Sequence, residues 1–523
     1  MPKFPSTHIS LNILIGFWSL CLNGYAATIR QAHTFDALAY VHMAHYGLLD
    51  RYMPMVHPHH ILYHPLSFIF YRFWQILGWQ GNAILPLQIL NALLSTIVIL
   101  LFYRLLQKLT NIGLAFGIAI LLSVTNAYWY FSTEVEVYIL SLLFLVALFY
   151  WITVSPTSPR TSSHDIITGL LLGLAILAHQ TNTLFFPIIL AGIWMSPTRW
   201  NQKAKSLFQI GLTASILVIA AYGVGISALE IKTVLGILTW STGYAHMDAW
   251  GQWWGFQNNF NQALFGIQRS IVAILKDPSI FVDWLTIIGL LLVAWGAYRN
   301  NRKIASYCIL WVVIYGAFFL WWEPANFEFW LAVLPPILLM SALAISRLNF
   351  QYKKQVVGIA LLGICLALLY VNYRNALVPT QGPTKGTFQQ IARGIATCAS
   401  HKTDIVIIAS YAYKPWVDIY APAITVPLDG VFWLASLDHS GNQVSKQAFA
   451  DLEAIIQEAK TKNTRIFVSE DIFQGSFFAS RANVTPTDLE VFFAQYLLYP
   501  TQCSYQVNDA SNAQKTQLYL LNY

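Results

Sequence analysis

Long apolar runs, each close to the length that crosses a bilayer, alternate along this chain with short stretches crowded with polar and aromatic residues. A span needs about 20 apolar residues, somewhat fewer where neighbours thin the bilayer. Segments of that kind fall at 10–28, 84–106, 112–131, 135–153, 165–179, 181–196, 207–229, 279–298, 305–322, 328–346 and 355–373. The pattern predicts an α-helical polytopic membrane protein with about eleven spans. The apolar run Ile9 to Ala27, after Lys3 and ending in GYAA, also resembles a signal peptide, but the many spans that follow favour an uncleaved first helix.

The stretch ILYHPLSFIFYRFWQILG at 61–78 is apolar enough to insert yet carries His64, Pro65 and Arg72. Basic residues decide its place. Leaving it out of the bilayer puts Lys3, Arg104, Lys108, Arg160, Arg199, Lys203, Lys205, Arg299, Arg302, Lys303, Arg347, Lys353 and Lys354 on one side, which is then the cytoplasm. Counting it as a span strands those clusters outside. It is therefore expected to lie on the outer surface. The opposite face then carries the loop 29–83, the turn at Glu134 and Glu136, the tip HQTN at 179–182, the loop 230–278, the turn WWEPANFEFW at 321–330 and everything beyond 374.

Past 374 the periodicity changes. DIVIIAS at 404–410, AITVPL at 423–428 and RIFVSE at 465–470 read as strands, and AFADLEAIIQEAK at 448–460 as an amphipathic helix. Two units are expected: a transmembrane catalytic part, 1–373, and an extracytoplasmic α/β domain, 374–523.

Composition narrows the function. The chain has 523 residues, of which 56% are hydrophobic and 10% charged, against about 25% charged in soluble domains. The net charge of +7 follows from topology, so no nucleic-acid partner is expected. There is no Gly-rich phosphate loop and no C-x-x-C pair. Cys398 and Cys503 share the extracytoplasmic tail, where oxidation is permitted, and a disulfide between them is expected.

Candidate chemistry gathers on the outer face. Residues 33–66 hold Asp36, Asp50, Arg51 and seven histidines. His57, His59 and His60 suit a zinc ion in ligand type but sit at HPHH, a loop spacing with no fixed geometry, so hydrogen-bonded loop histidines are the competing reading. Glu134 and Glu136 punctuate two apolar runs. His179, Gln180 and Asn182 cap a short helical hairpin, where polar residues satisfy a turn or line a cavity. Glu323, Asn326 and Glu328 sit among aromatics that also fit an interfacial belt. Arg30, Arg51, Lys232, Arg269 and Lys276 are cations suited to a phosphate or to lipid headgroups. The loop aromatics Trp240, Tyr244, Trp250, Trp253 and Trp254 suit sugar stacking or interfacial anchoring.

These motifs resemble the GT-C glycosyltransferases, polytopic enzymes that take a sugar from a polyprenyl-phosphate carrier. The likeness is nearest to bacterial protein O-mannosyltransferase-like members and covers about the first 350 residues. FDALAY and HPHHILY stand where that group has its first-loop acid and His-Pro motif, Glu136-Val137-Tyr138 matches its AEVY, and AHQTN its His-rich turn. Ala39 replaces a Glu of the group, and His59 and His60 replace Pro-Gly. The resemblance implies Asp36 as general base, with Glu136 and its neighbour Glu134 completing the catalytic site. A polyprenyl-phosphate sugar donor is implied, with a glycan, lipid or protein hydroxyl as acceptor, in the cytoplasmic membrane with the site outside. His57, His60, His179, Asn182, Arg269, Glu323 and Asn326 are expected to bind these substrates. Asp36, Glu134 and Glu136 are also a carboxylate set suited to Mg²⁺ or Mn²⁺, although phosphate-linked donors can be used without a metal. A flippase of a polyprenyl-linked glycan would instead place charges at the bilayer midplane and show an inverted repeat, and an assembly protein would explain the tail but not the acidic turns.

Overall fold

The computed structural model describes residues 11–30, 33–50, 52–154, 161–242, 251, 254–273, 280–347, 353–378, 387–409, 413–421, 423–439, 442–474, 484–509 and 512–522. The helical part runs α1 Leu11–Ala27, α2 Phe35–Tyr46, α3 Tyr63–Ile76, α4 Ile84–Leu109, α5 Ile112–Ser123, α6 Asn126–Thr133, α7 Tyr138–Val154, α8 Ser162–Ala178, α9 Phe186–Trp194, α10 Trp200–Ala228, α11 Val234–Thr242, α12 Phe256–Ile271, α13 Ile280–Asn300, α14 Arg302–Trp322, α15 Phe327–Trp330, α16 Leu334–Arg347 and α17 Lys353–Asn372.

Among the described residues, six helices are long and apolar enough to cross a membrane: α4, α10, α13, α14, the stretch Phe327–Arg347 that joins α15 to α16, and Gln355–Leu377 containing α17. The bent pair α5 and α6 makes a seventh if counted as one span. The expected run 112–131 is not straight. It turns by 63° after Ser123, where Thr125 leaves the helical region (φ −63°, ψ 148°). The Val124 carbonyl freed there accepts a hydrogen bond from Asn372 Nδ2 at 2.8 Å, because a backbone group released inside a bundle must find a partner. The run 181–196 is a 3-10 turn, Gln180–Phe185, followed by the nine-residue α9. The stretch expected to lie flat is α3, which packs on α2 and α4.

α8 and α10 pack through small residues. A Cβ at Gly169 would lie 2.7 Å from the Ile210 carbonyl oxygen, and one at Gly173 3.0 Å from Leu217. Gly-xxx-Gly spacing lets backbones approach closely where lipid supplies no hydrophobic drive.

Residues beyond 387 form α18 Thr387–Cys398, β1 Ile405–Ile408, α19 Lys414–Tyr420, β2 Ile424–Pro427, α20 Leu428–Asp438, α21 Asn442–Thr461, β3 Ile466–Ser469, α22 Asp471–Gln474, α23 Pro486–Phe493, β4 Leu497–Asp509 and β5 Asn512–Asn522. The sheet order is β2-β1-β3-β5-β4, parallel among β2, β1 and β3 and antiparallel at β5 and β4. Alternation sends Ile407 and Val468 into one core with α20 and α21, and Val406, Ile408 and Phe467 into another with α18 and α19. Leu38 of α2 belongs to that second core, so the first-loop helix docks on the sheet unit. Cys398 is disulfide-bonded and Cys21, Cys308 and Cys365 are free; the side chain of Cys503 lies outside those described.

Candidate functional site

Asp36 sits in the first turn of α2, placed there by its N-cap. Thr34 Oγ1 accepts a hydrogen bond from the Ala37 amide at 3.0 Å, and the same hydroxyl donates to Glu136 Oε1 at 2.9 Å. One threonine thus ties the start of α2 to the second acidic turn. Asp36 makes no hydrogen bond among the described residues, and it is exposed. Dense protein nonetheless surrounds it, so lost hydration and then the nearby Glu323 charge push its carboxyl up to about 6.

Glu136 is buried in the turn before α7, 2% exposed. Burial, then the charges of Asp36, Glu328 and Glu134, raise its pKa well above the ordinary glutamate range. Asn91, in the apolar helix α4, holds this turn by donating to the carbonyls of Glu134 and Glu136, both at 2.7 Å. Glu134 serves a different purpose. Its carboxylate lies 3.4 Å from Arg30 Nε, 3.0 Å from His33 Nδ1 and 2.9 Å from the Val135 amide. Arg30 is itself buried and stacks 3.7 Å over Tyr130.

The histidines form a second group beside the carboxylates. His57 stacks on His60 with ring centres 5.2 Å apart, His60 meets His179 at 4.8 Å, and His64 lies 5.0 Å from Tyr40 of α2. Burial lowers the pKa of all four, to about 3 for His64 and His179, leaving uncharged imidazoles at neutral pH. Asn182 donates to Ser141 and the Ala175 carbonyl and accepts from Tyr315. All of its polar capacity toward those neighbours builds the hairpin. A small pocket opens between Tyr138, His179, Thr181, Asn182, Glu328 and Phe329. Glu323 ends α14 and accepts from Asn326 Nδ2 at 3.2 Å, while Asn326 Oδ1 caps the Glu328 amide. Arg269, in the last turn of α12, is exposed 4.9 Å over Phe327.

The fold has solved counterparts. ArnT from Cupriavidus metallidurans, in a structure with undecaprenyl phosphate, matches with a TM-score of 0.59 at 10% identity, over 98% of each chain. The Archaeoglobus fulgidus oligosaccharyltransferase, in a complex with Zn and sulfate, matches at 0.51 and 13% identity over 94% of this chain and 72% of its own. The mycobacterial arabinofuranosyltransferase AftD matches at 0.52 and 10% identity, over 99% of this chain and 40% of that one. The chain shares the fold of these proteins. No protein-family model and no curated sequence matches it.

Within this shared fold the sequence-expected residues divide. Asp36, Glu136 and Glu323 share one electrostatic neighbourhood, joined by Glu328, which is raised by Asp36 and Glu323 and in turn raises Glu136. His57, His60 and His179 meet one another. Glu134 faces Arg30 at 3.4 Å, and Nε and Nη1 of the buried Arg30 make no hydrogen bond among the described residues. Lys232 is exposed near Asp438, Trp240 is buried and Trp254 exposed, and Arg51, Tyr244, Trp250, Trp253 and Lys276 lie outside the described residues. Thr34, Asn91 and His64 were not singled out as site residues. Asn91 had a signal, a polar residue inside an apolar span, whereas nothing local marks Thr34 as more than a cap.

Asp36, Glu134 and Glu136 do not fit a three-carboxylate Mg²⁺ or Mn²⁺ site. Glu134 faces Arg30 and His33, and the group whose ligand atoms converge among the described residues is His42, Asp50 and Asp418. The Lys414 ammonium stands in that group, 2.7 Å from Asp50 and 3.1 Å from Asp418.

Proposed function

We propose that this protein is an integral membrane glycosyltransferase that moves a sugar from a polyprenyl-phosphate donor to an acceptor hydroxyl, with Asp36 as general base. The observation that carries this reading is an exposed carboxylate with no hydrogen bond among the described residues, tuned to about 6, at the head of a helix held by a second buried acid. A general base works best with a pKa near the working pH. The fold supports the substrate class: ArnT was solved with undecaprenyl phosphate, and the archaeal oligosaccharyltransferase with an inhibitory peptide and a dolichol-phosphate.

In this reading Asp36 takes the proton of the acceptor hydroxyl as its oxygen attacks the anomeric carbon, and the carbon–oxygen bond to phosphate breaks on the opposite side with inversion. Phosphate leaves as a stable anion, so no strong acid is required there. Nearby negative charge at Glu323 favours an oxocarbenium-like centre, while Glu136, held protonated by its surroundings, anchors Thr34 and the head of α2. Arg269 meets the carrier phosphate, and His57, His60 and His179, as uncharged donors, line its approach. The acceptor is a glycan, lipid or protein hydroxyl. The site faces outward from the cytoplasmic membrane, α1, α7, α8 and α9 complete about eleven passes, and the sheet unit is extracytoplasmic. Purified protein incubated with labelled polyprenyl-phosphate sugars in liposomes tests this: transfer lost in Asp36→Asn supports it, and flipping without transfer rejects it.

A further inference from the structure

The helix that carries Asp36 is clamped from its other end by a buried cluster to which no role in transfer falls. His42, also on α2, has a carboxylate on each ring nitrogen: Asp50 Oδ2 at 2.8 Å from Nε2 and Asp418 Oδ2 at 2.9 Å from Nδ1. Lys414 Nζ bridges the same two carboxylates and donates to the Thr425 carbonyl at 3.0 Å. Thr425 Oγ1 donates to the other oxygen of Asp418 at 2.7 Å, and Asp50 Oδ1 accepts from the Tyr52 amide at 2.8 Å. His42 and Lys414 are 2% and 4% exposed.

With both nitrogens facing carboxylates, the ring satisfies them only as an imidazolium, which donates from both sides. Two cations then balance two anions. Burial and the Lys414 charge disfavour the charged ring, but the Asp418 and Asp50 carboxylates, the latter hydrogen-bonded to Nε2, outweigh them and raise the His42 pKa. The surrounding groups leave this balance in place: His45 and Tyr46 on α2, and Tyr71 and Arg72 on α3, where Tyr71 meets His45 Nδ1 at 3.2 Å and Arg72 reaches the His45 carbonyl at 3.3 Å.

We propose that Lys414 and Asp418 of α19, through His42 and Asp50, form a proton-held latch by which the C-terminal sheet unit sets the orientation of α2 and so positions Asp36. His42 is a positioning residue. The buried Leu38 joins α2 to the sheet unit by apolar contact, which is non-directional; the latch adds charged contacts of defined geometry six residues from Asp36. Because the pKa of His42 is raised in the fold, its stabilisation is fully present below about 6.5 and is lost as pH rises through the folded value. The latch loosens on the alkaline side. The proposal shares Asp36 with the functional reading, but its test measures no transfer.

The test is the pH profile of carbodiimide modification at Asp36, followed by peptide mass spectrometry on the full chain, in Asp418→Asn and His42→Gln. A released α2 moves Asp36 away from the surrounding protein and from the Glu323 charge that raise its pKa, so its midpoint should fall by about one unit, a tenfold change in proton affinity, and Asp418→Glu should restore it in part. Arg465→Gln is the control. It breaks the Arg465–Asp404 pair in the same sheet unit, 2.7 Å apart, without touching the latch, and should leave the Asp36 profile unmoved. Should a variant fail to fold, hydrogen exchange of residues 37–46 in the unaltered protein replaces it: protection, corrected for intrinsic rates, should drop in a single proton step above neutral pH. An unshifted Asp36 midpoint in folded variants, or pH-independent protection of α2, would overturn the latch.

Discussion

Two glutamates two positions apart have opposite assignments once their partners are known. Replacing Glu134 by Gln leaves the buried Arg30 charge without its counter-ion, and such a loss costs about 3–5 kcal/mol; Glu134→Gln should therefore lower the melting temperature and the yield. Glu136→Gln is close in shape to the protonated acid that its environment favours, so it should fold normally and reduce turnover. A thermal-shift series on both variants checks the contrast. Sequence reading favoured Glu136 over Glu134 from a motif, and it placed both in one turn. It had no means of seeing Arg30 fold back 104 positions to pair with Glu134. Asp36 was legible because an acid just after an apolar span stands out, whereas its freedom from partners, which gives it catalytic value, depends on residues far apart in the chain. Thr34→Ala removes the cap and the link to Glu136 together, and should cost about 1 kcal/mol of stability while misplacing Asp36.

At the scale of elements, the apolar runs marked the long helices well, since 84–106 and 305–322 lie within α4 and α14 and 279–298 overlaps α13. Breaks were hidden. Nothing in the run 112–131 announces that Asn372, some 250 positions later, will satisfy the Val124 carbonyl and allow a 63° bend. The strands β1, β2 and β3 were visible as apolar segments, but β4 and β5 were not, because this long ribbon is rich in Gln, Asn and Thr and shows no clean alternation. The α8–α10 contact gives a sharp forecast. Gly169→Val forces a Cβ against the Ile210 carbonyl, and overpacking of this kind costs about 1–3 kcal/mol. Gly113→Ala is the matched control. A Cβ there has only the Asn111 side chain near it, at 3.7 Å, and that variant should melt like the parent.

For the whole molecule, the placement of basic residues predicts sidedness: a single cysteine at Arg302 should be labelled by an impermeant reagent only when the cytoplasmic face is open, and one at Lys232 from the other face. The central claim is more demanding, because it joins fold, sidedness and the tuned carboxylate into one reaction. It is tested most directly by the pH dependence of sugar transfer from a labelled polyprenyl-phosphate donor in proteoliposomes, for the parent and Asp36→Asn side by side. With Asp36 as base, its proton must be off: transfer should rise with pH through about 6 and level above it, and Asp36→Asn should lose roughly 10²-fold or more in turnover with its melting temperature unchanged, since Asn keeps the shape but accepts no proton. Near-parental transfer by Asp36→Asn, with the same rise through pH 6, would contradict the account.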